Sequence, residues 1–184
     1  MRIVQLDLED EAALRDFLAE LAAHGETDIH GFFGEPEWTH AETVAAFTRW
    51  SCGDPPPGWV PSTTSFLVDG ARILGVSNFR HWLTPHLLEH GGHVGYTVRP
   101  SERGRGHAPR LLRDAARRAR RMGLERLLVA CDSGNLASAR VIEKCGGMFE
   151  SESPTDGEPI RRYWIDLRRA SALAQSRMGK VRHR

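Results

Sequence analysis

A glycine-containing turn between a predicted strand and a predicted helix has the residue types of an anion-binding site. The segment reads VRPSERGRGHA over residues 98–108. Gly104 and Gly106 let the backbone bend and approach a ligand closely. The unpaired N–H groups of the first helical turn, together with the helix dipole, can then bind a pyrophosphate. The residues alone also allow a second interpretation, an ordinary strand-to-helix turn with solvated arginines.

The pattern Arg103-x-x-Gly106-x-Ala108 resembles the acyl-CoA signature of the GNAT superfamily of N-acetyltransferases. The later segment NLAS at 135–138 is similar to the second half of that family's cofactor site, and GHVGY at 92–96 is similar to a branch of predicted acetyltransferases. The resemblance implies an α/β (α+β) GNAT fold, with a central mixed, mostly antiparallel sheet of about seven strands flanked by about four helices.

The resemblance also implies acetyl-CoA as co-substrate. The backbone of residues 96–98 would pair with the pantetheine arm like an added strand, and the amides of residues 104–108 would bind the pyrophosphate. Asn135 and Ser138 would hydrogen-bond the pantetheine from the other side. The predicted cofactor-binding residues are Tyr96, Thr97, Val98, Arg103, Gly104, Arg105, Gly106, His107, Ala108, Asn135 and Ser138.

The implied reaction is acetyl transfer from acetyl-CoA to the primary amine of a small molecule, by direct attack in a ternary complex. Such a reaction needs a neutral amine, a donor to the carbonyl oxygen and a proton for the leaving thiolate. Two positions depart from the family pattern. Ile142 stands where many members have a tyrosine acid, and Ala130 stands where some have a glutamate base.

The replacement catalytic residues are expected at the start of the central strand. Glu89, His90 and His93 would border the amine side of the cleft, and we predict His93 and Glu89 as catalytic. An imidazole with an ordinary pKa near 6.5 can remove a proton near physiological pH. The alternatives are a structural hydrogen bond for His93, and charge neutralisation or solvent exposure for Glu89. Tyr96 and Tyr163 are alternative proton donors.

The remaining nucleophile and metal candidates are weaker. His86 and His90 are four residues apart and would share one helical face, but neither a carboxylate nor a cysteine completes a ligand set, so no metal is predicted. A structural role as a small buried side chain explains Cys131 better than a role as the nucleophile of an acyl-cysteine intermediate.

Length and composition limit the function classes. The chain has 184 residues, a formal net charge of +1 and 40% hydrophobic residues, which predicts one folded domain at 1–167 and a basic tail at 168–184. An apolar run long enough for a membrane span is absent from the sequence, and the near-neutral charge argues against nucleic-acid binding. Three cysteines without CxxC spacing favour a reducing cytoplasm.

Hydrophobic periodicity supplies the elements that must position these residues. Strands are predicted at 2–6, 63–68, 71–79, 93–99, 127–131, 148–151 and 160–167, with a hairpin turn at Asp69-Gly70. Helices are predicted at 9–24, 39–51, 107–122 and 135–144, the second with a capping box between Thr39 and Glu42. The segments 25–36 and 52–61 are predicted to be exposed loops.

Two loops, 25–36 and 152–159, are expected to flank the acceptor. Their acidic residues would suit a cationic acceptor; they are Glu35, Glu37, Asp156 and Glu158. Two other functions stay open beside small-molecule acetylation, namely protein or peptide acetylation and a non-catalytic acyl-CoA sensor. A homodimer is compatible with the resemblance.

Overall fold

The structure is a computed structural model that describes residues 1–35, 37–154 and 157–168. The predicted tail therefore lies outside the described residues except for Arg168. The strands are β1 (Arg2–Val4), β2 (Ser62–Asp69), β3 (Arg72–Arg80), β4 (Val94–Val98), β5 (Arg126–Asp132), β6 (Gly147–Ser153) and β7 (Ile160–Asp166). The helices are α1 (Glu11–Ala23), α2 (His40–Ser51), α3 (His107–Arg121) and α4 (Leu136–Lys144).

The described strands form two antiparallel sheets. One has the order β1-β2-β3-β4, and the other has the order β5-β7-β6. The prediction of an α/β fold with about seven strands and about four helices is confirmed, but the expected single sheet is divided between β4 and β5. These strands are joined at their start, where Gly92 bridges Val129 and the His93 amide donates to the Leu128 carbonyl at 2.8 Å. Beyond that point β4 hydrogen-bonds to β3 and β5 to β7.

Local signals in the sequence placed two elements well. Thr39 caps α2, its side chain accepting from the Glu42 amide while the Glu42 carboxylate accepts from the Thr39 amide, as the capping box predicts. The β2–β3 hairpin also forms, with Asp69 opposite Arg72, so its two-residue loop is Gly70-Ala71 rather than Asp69-Gly70. The turn is therefore displaced by one residue.

Two main clusters form the core. One packs α3 and α4 against the β5-β7-β6 sheet, and the other packs α1 and α2 against the first sheet. Segment 25–35 lacks helix and strand as predicted, and it is exposed only in part, because Gly31 is buried and residues 32–34 are half-buried. Phe32 and Phe33 pack against the second cluster, because this segment crosses the first sheet on its way from α1 to α2.

An ion-pair network around the buried Arg99 side chain holds the predicted cofactor turn to α1. The Arg99 side chain donates to the Ile73 carbonyl at 2.6 Å, to Glu20 at 2.7 Å and to Asp16 at 2.8 Å. Glu20 also accepts from the Ser101 amide at 2.8 Å. Burial opposes ionisation of Glu20, but the bonds from Ser101 and Arg99 outweigh it and hold its pKa at about 2. The start of the turn is therefore fixed.

The histidine-rich connection between β3 and β4 contains a short wide helical turn, Leu87–Gly91, which was not predicted from the sequence. Its hydrogen bonds follow the π pattern, which recurs at functional sites. Across the described part of the chain, every helix is too short or too polar to cross a membrane.

Candidate active site

A cavity of about 640 Å³ opens where β4 and β5 diverge. One wall is β4 with the turn that follows it, and the opposite wall is the end of β5 with the first turns of α4. The segment 26–33 and the turn 90–91 close the remaining side. The cavity therefore joins the predicted cofactor turn to the segment predicted to flank an acceptor.

The turn has the backbone geometry of an anion cradle. Gly104 and Gly106 have φ values of +75° and +83°, which favour glycine, and a Cβ built on either residue meets nothing within 4 Å. Gly106 is the N-cap of α3 and makes no side-chain cap bond. The first-turn amides therefore depend on solvent or a ligand for acceptors. Gly104, Gly106, His107 and Ala108 all line the cavity.

The charged residues of the turn have protein partners. Arg103 lines the cavity and donates to both carboxylate oxygens of Glu26, at 2.7 and 2.6 Å. Arg105 is not among the lining residues, and it pairs with Glu102 at 3.1 Å. The same Glu102 carboxylate lies 3.6 Å from the His107 ring. Arg103 therefore lines the cavity as predicted for a cofactor-binding residue, whereas Arg105 lies outside the lining.

Residues of β4 and α4 meet across the cavity. The Tyr96 hydroxyl lies 2.7 Å from the Ser138 hydroxyl, while Asn135 accepts from the Ser138 amide at 2.9 Å and caps α4. Burial raises the pKa of Tyr96, so its hydroxyl stays protonated at neutral pH. Ile142 is fully buried in the core. The tyrosine position of the family pattern therefore points into the core, and a different tyrosine faces the cavity.

His93, predicted as a catalytic residue, is not among the residues that line the cavity. The side chain is 6% exposed, and its Nδ1 accepts from the Leu128 amide at 3.0 Å. Burial, reinforced by the positive charge of Arg80, lowers its pKa to about 4. The imidazole thus takes the place of a strand carbonyl beside β5, and it joins the two sheets where they begin to diverge.

Glu89 is likewise placed outside the cavity lining, with a side chain that is 65% exposed. Its neighbour His90 does line the cavity, and the His90 Nε2 lies 3.5 Å from the Glu89 carboxylate. The wide turn at 87–91 directs one of these consecutive side chains inward and the other outward. Among the three candidates at the start of the central strand, His90 is the one that the structure brings to the site.

Several cavity residues carry no motif by which the sequence could identify them. Arg80, Asp28 and His30 line the cavity, and none of them belongs to a motif. Gly31 carries the one usable signal, because a Cβ there would lie 2.7 Å from the Gly95 carbonyl, so only glycine lets this segment lie against β4. The Thr97 hydroxyl then donates to the His30 carbonyl at 2.9 Å.

The predicted acidic flank is placed differently. Neither Glu35 nor Glu37 is among the lining residues, and Glu158 accepts from the Gly134 amide at 2.6 Å. Asp156 lies outside the described residues.

Within residues 1–35, 37–154 and 157–168, no cluster of histidine, cysteine and carboxylate side chains is arranged to hold a metal ion. The rings of His86 and His90 lie 5.1 Å apart.

Comparison with known proteins identifies the family and the fold. An acetyltransferase (GNAT) domain model matches residues 2–148. The L-methionine sulfoximine/L-methionine sulfone acetyltransferases of Pseudomonas aeruginosa and Pseudomonas paraeruginosa are 30% identical over 96 residues, which cover 52% of this chain and 55% of theirs. The match thus spans about half the length of these curated relatives.

Solved structures share the fold over most of the chain. YncA from Salmonella typhimurium, solved with its cofactor acetyl-CoA, has a TM-score of 0.62 at 18% identity, covering 90% of this chain and 93% of its own. A mutant of the spermidine N-acetyltransferase SpeG from Vibrio cholerae has a TM-score of 0.64 at 12% identity, covering 95% of this chain and 99% of its own.

Proposed function

Because the chain belongs to the GNAT acetyltransferase family, we propose that it transfers an acetyl group from acetyl-CoA to the primary amine of a small molecule within a ternary complex. The observation that carries this proposal is the continuous cavity between the amide cradle at Gly104–Ala108 and the polar end at 26–31. Direct attack needs both substrates in one space, and holding them together supplies much of the rate.

The cradle fits the diphosphate of the co-substrate. Its amides have no side-chain cap, its two glycines leave open space in front of the backbone, and the dipole of α3 favours negative charge there. We assign the pantetheine to residues 96–98 on one side, with Asn135 and Ser138 opposite. Acetyl-CoA would supply an activated acyl group with a thiolate leaving group.

We assign to His90 the role of general base, which removes a proton from the acceptor amine. This imidazole lines the cavity, and its Nε2 lies 3.5 Å from the adjacent Glu89 carboxylate, which can hold the ring in place. Glu89 therefore acts as a positioning residue through His90. This assignment replaces His93, whose Nδ1 is engaged by the Leu128 amide.

We assign to Tyr96 the role of general acid, which donates a proton to the leaving thiolate. Its hydroxyl lies in the cavity at 2.7 Å from that of Ser138, so a proton given up by Tyr96 can be replaced through Ser138. This role compensates for Ile142, which cannot donate a proton.

The acceptor end favours a small molecule over a folded protein. Segment 26–33 lies over β4, tied by the bond from Thr97 and by the close approach of Gly31, and it covers the end of the cavity. The Pseudomonas relatives named for L-methionine sulfoximine support the same class of acceptor.

We place the activity in the cytoplasm, in keeping with three free cysteines. A homodimer stays a prediction.

The test is calorimetric titration with acetyl-CoA, followed by thiol release with an amine panel. Gly106→Glu puts a carboxylate at the diphosphate position and should weaken acetyl-CoA binding by about 100-fold or more. Gly106→Ala shares the strain of a positive φ without the charge, so it is the matched control and should lose much less. Equal affinity for all three proteins would reject the cradle. Binding without thiol release would favour the sensor, and acetylation of peptides alone would favour the protein acetyltransferase.

A further inference from the structure

Arg80 is held by one edge of its guanidinium at the mouth of the acceptor end. It is the last residue of β3, and its Nη1 donates to the carbonyls of Gly91 and Gly92 at 3.2 and 3.0 Å. Its charge lies over the Phe33 ring at 5.4 Å from the centroid. The guanidinium is therefore held at its Nη1 edge by the turn before β4, and the Phe33 ring packs against it.

The other edge of the same group has no protein partner. Throughout the described ranges, Arg80 makes no hydrogen bond to protein through Nε or Nη2 and no ion pair with a carboxylate. The side chain is half-buried and lines the cavity. Burial lowers the pKa of the guanidinium, and no neighbouring anion offsets that cost.

The Nε and Nη2 donors lie side by side, in the geometry that binds the two oxygens of a carboxylate in parallel. A fixed arginine with this edge free is preorganised, because little side-chain freedom is lost when the anion arrives. A lysine ammonium in the same place would supply charge without the paired donors. The free edge of Arg80 therefore selects a ligand by the spacing of its two oxygens as well as by its charge.

We propose that Arg80 binds the carboxylate of the acceptor, so that the acceptor is an amino acid whose amine is acetylated. This inference rests on the proposed function and adds the group that recognises the acceptor. The acidic residues of the flanking loops were expected to suit a cationic acceptor, whereas Arg80 at the acceptor end suits an anionic group.

A second charge at the same end suits a zwitterion. Asp28 lines the cavity and has no ion pair or hydrogen bond among the residues that the structure describes, whereas the nearby Glu26 is engaged by Arg103. An amino acid arrives as an ammonium carboxylate, and Asp28 can attract the ammonium before His90 removes its proton. A simple polyamine would leave Arg80 unmatched and would be repelled by it.

The test compares L-amino acids with their carboxamides, which keep the amine and side chain but lose the negative charge. Thiol release by the wild-type protein should be faster with the best amino acid than with its carboxamide, by about 100-fold in kcat/KM. Arg80→Met should lower kcat/KM for the amino acid by about 100-fold and change the value for the carboxamide by less than about 3-fold.

Two further variants separate the effect of the paired Nε and Nη2 donors from the effect of positive charge and from the loss of any cavity arginine. Arg80→Lys keeps the charge and should recover only a small part of the preference. Arg140→Met removes another cavity-lining arginine, on α4, and should leave the ratio between amino acid and carboxamide unchanged. The affinity of each variant for acetyl-CoA, measured by calorimetry, reports whether the cofactor site is intact. The wild-type comparison needs no variant, so it stands even if Arg80→Met does not fold.

The outcomes also distinguish this inference from the proposed function. Thiol release with carboxamides or simple amines as fast as with amino acids would overturn the role of Arg80 and leave the acetyltransferase assignment standing. If no panel member releases thiol, amino acids are titrated by calorimetry into the protein saturated with CoA. Binding that weakens 10-fold or more in Arg80→Met supports the carboxylate site without turnover, and no binding at millimolar concentration overturns it.

Discussion

The buried imidazole of His93 predicts a specific dependence of stability on pH. Burial and the charge of Arg80 lower its folded-state pKa from the ordinary 6.5 to about 4. Between these values the unfolded chain binds the proton and the folded protein does not, so the free energy of unfolding falls as the pH falls. The contribution is fully present above about pH 6.5 and lost below about pH 4. At 1.36 kcal/mol per pH unit it amounts to about 3 kcal/mol, of which about 2 kcal/mol is lost between pH 7 and pH 5.

The comparison variant is His93→Asn. Its amide oxygen can still accept from the Leu128 amide, whose present partner is the His93 Nδ1 at 3.0 Å, but the group does not titrate. Urea unfolding of both proteins at several pH values from 7.5 to 4.5 gives the difference in free energy of unfolding as a function of pH. The subtraction removes the contributions of all other titrating groups, including Glu20.

The wild-type protein should lose about 2 kcal/mol more than His93→Asn when the pH falls from 7 to 5. Parallel curves for the two proteins would refute the reasoning, because they would mean that His93 takes up its proton equally in the folded and unfolded states. A steeper loss in the variant would contradict it as well, since the variant lacks the titrating group.

Two predictions concern proton transfer, and both are checked by steady-state thiol release together with acetyl-CoA titration. His90→Gln should lower kcat at pH 7 by about 100-fold with little change in acetyl-CoA affinity, whereas His86→Gln should stay within about 2-fold, because His86 does not line the cavity. Full activity of the first variant would exclude an imidazole base at this position. Tyr96→Phe should lower kcat by about 10-fold, because the thiol of CoA leaves readily even without an acid. The matched Tyr163→Phe removes a hydroxyl outside the cavity lining and should not; equal effects would contradict the role of Tyr96.

Most of the secondary structure was predictable because its signals are local. The capping box of α2, the β2–β3 hairpin and the glycine turn before α3 each depend on side chains within a few residues of one another. The division of the sheet was not predictable in the same way. It depends on where β4 leaves β5, and no periodicity within either strand encodes that point.

The amino-acid sequence by itself determined the fold class, the family resemblance and the backbone cradle, since these follow from residue types in fixed local order. Tertiary structure decided which side chains face the cavity. His90 and His93 are three residues apart, yet the wide turn directs one into the site and the sheet junction buries the other. The partners of Tyr96 and Arg103 lie 42 and 77 residues away in sequence. A side chain's exposure and charge environment depend on such distant neighbours, which only the packed chain brings together.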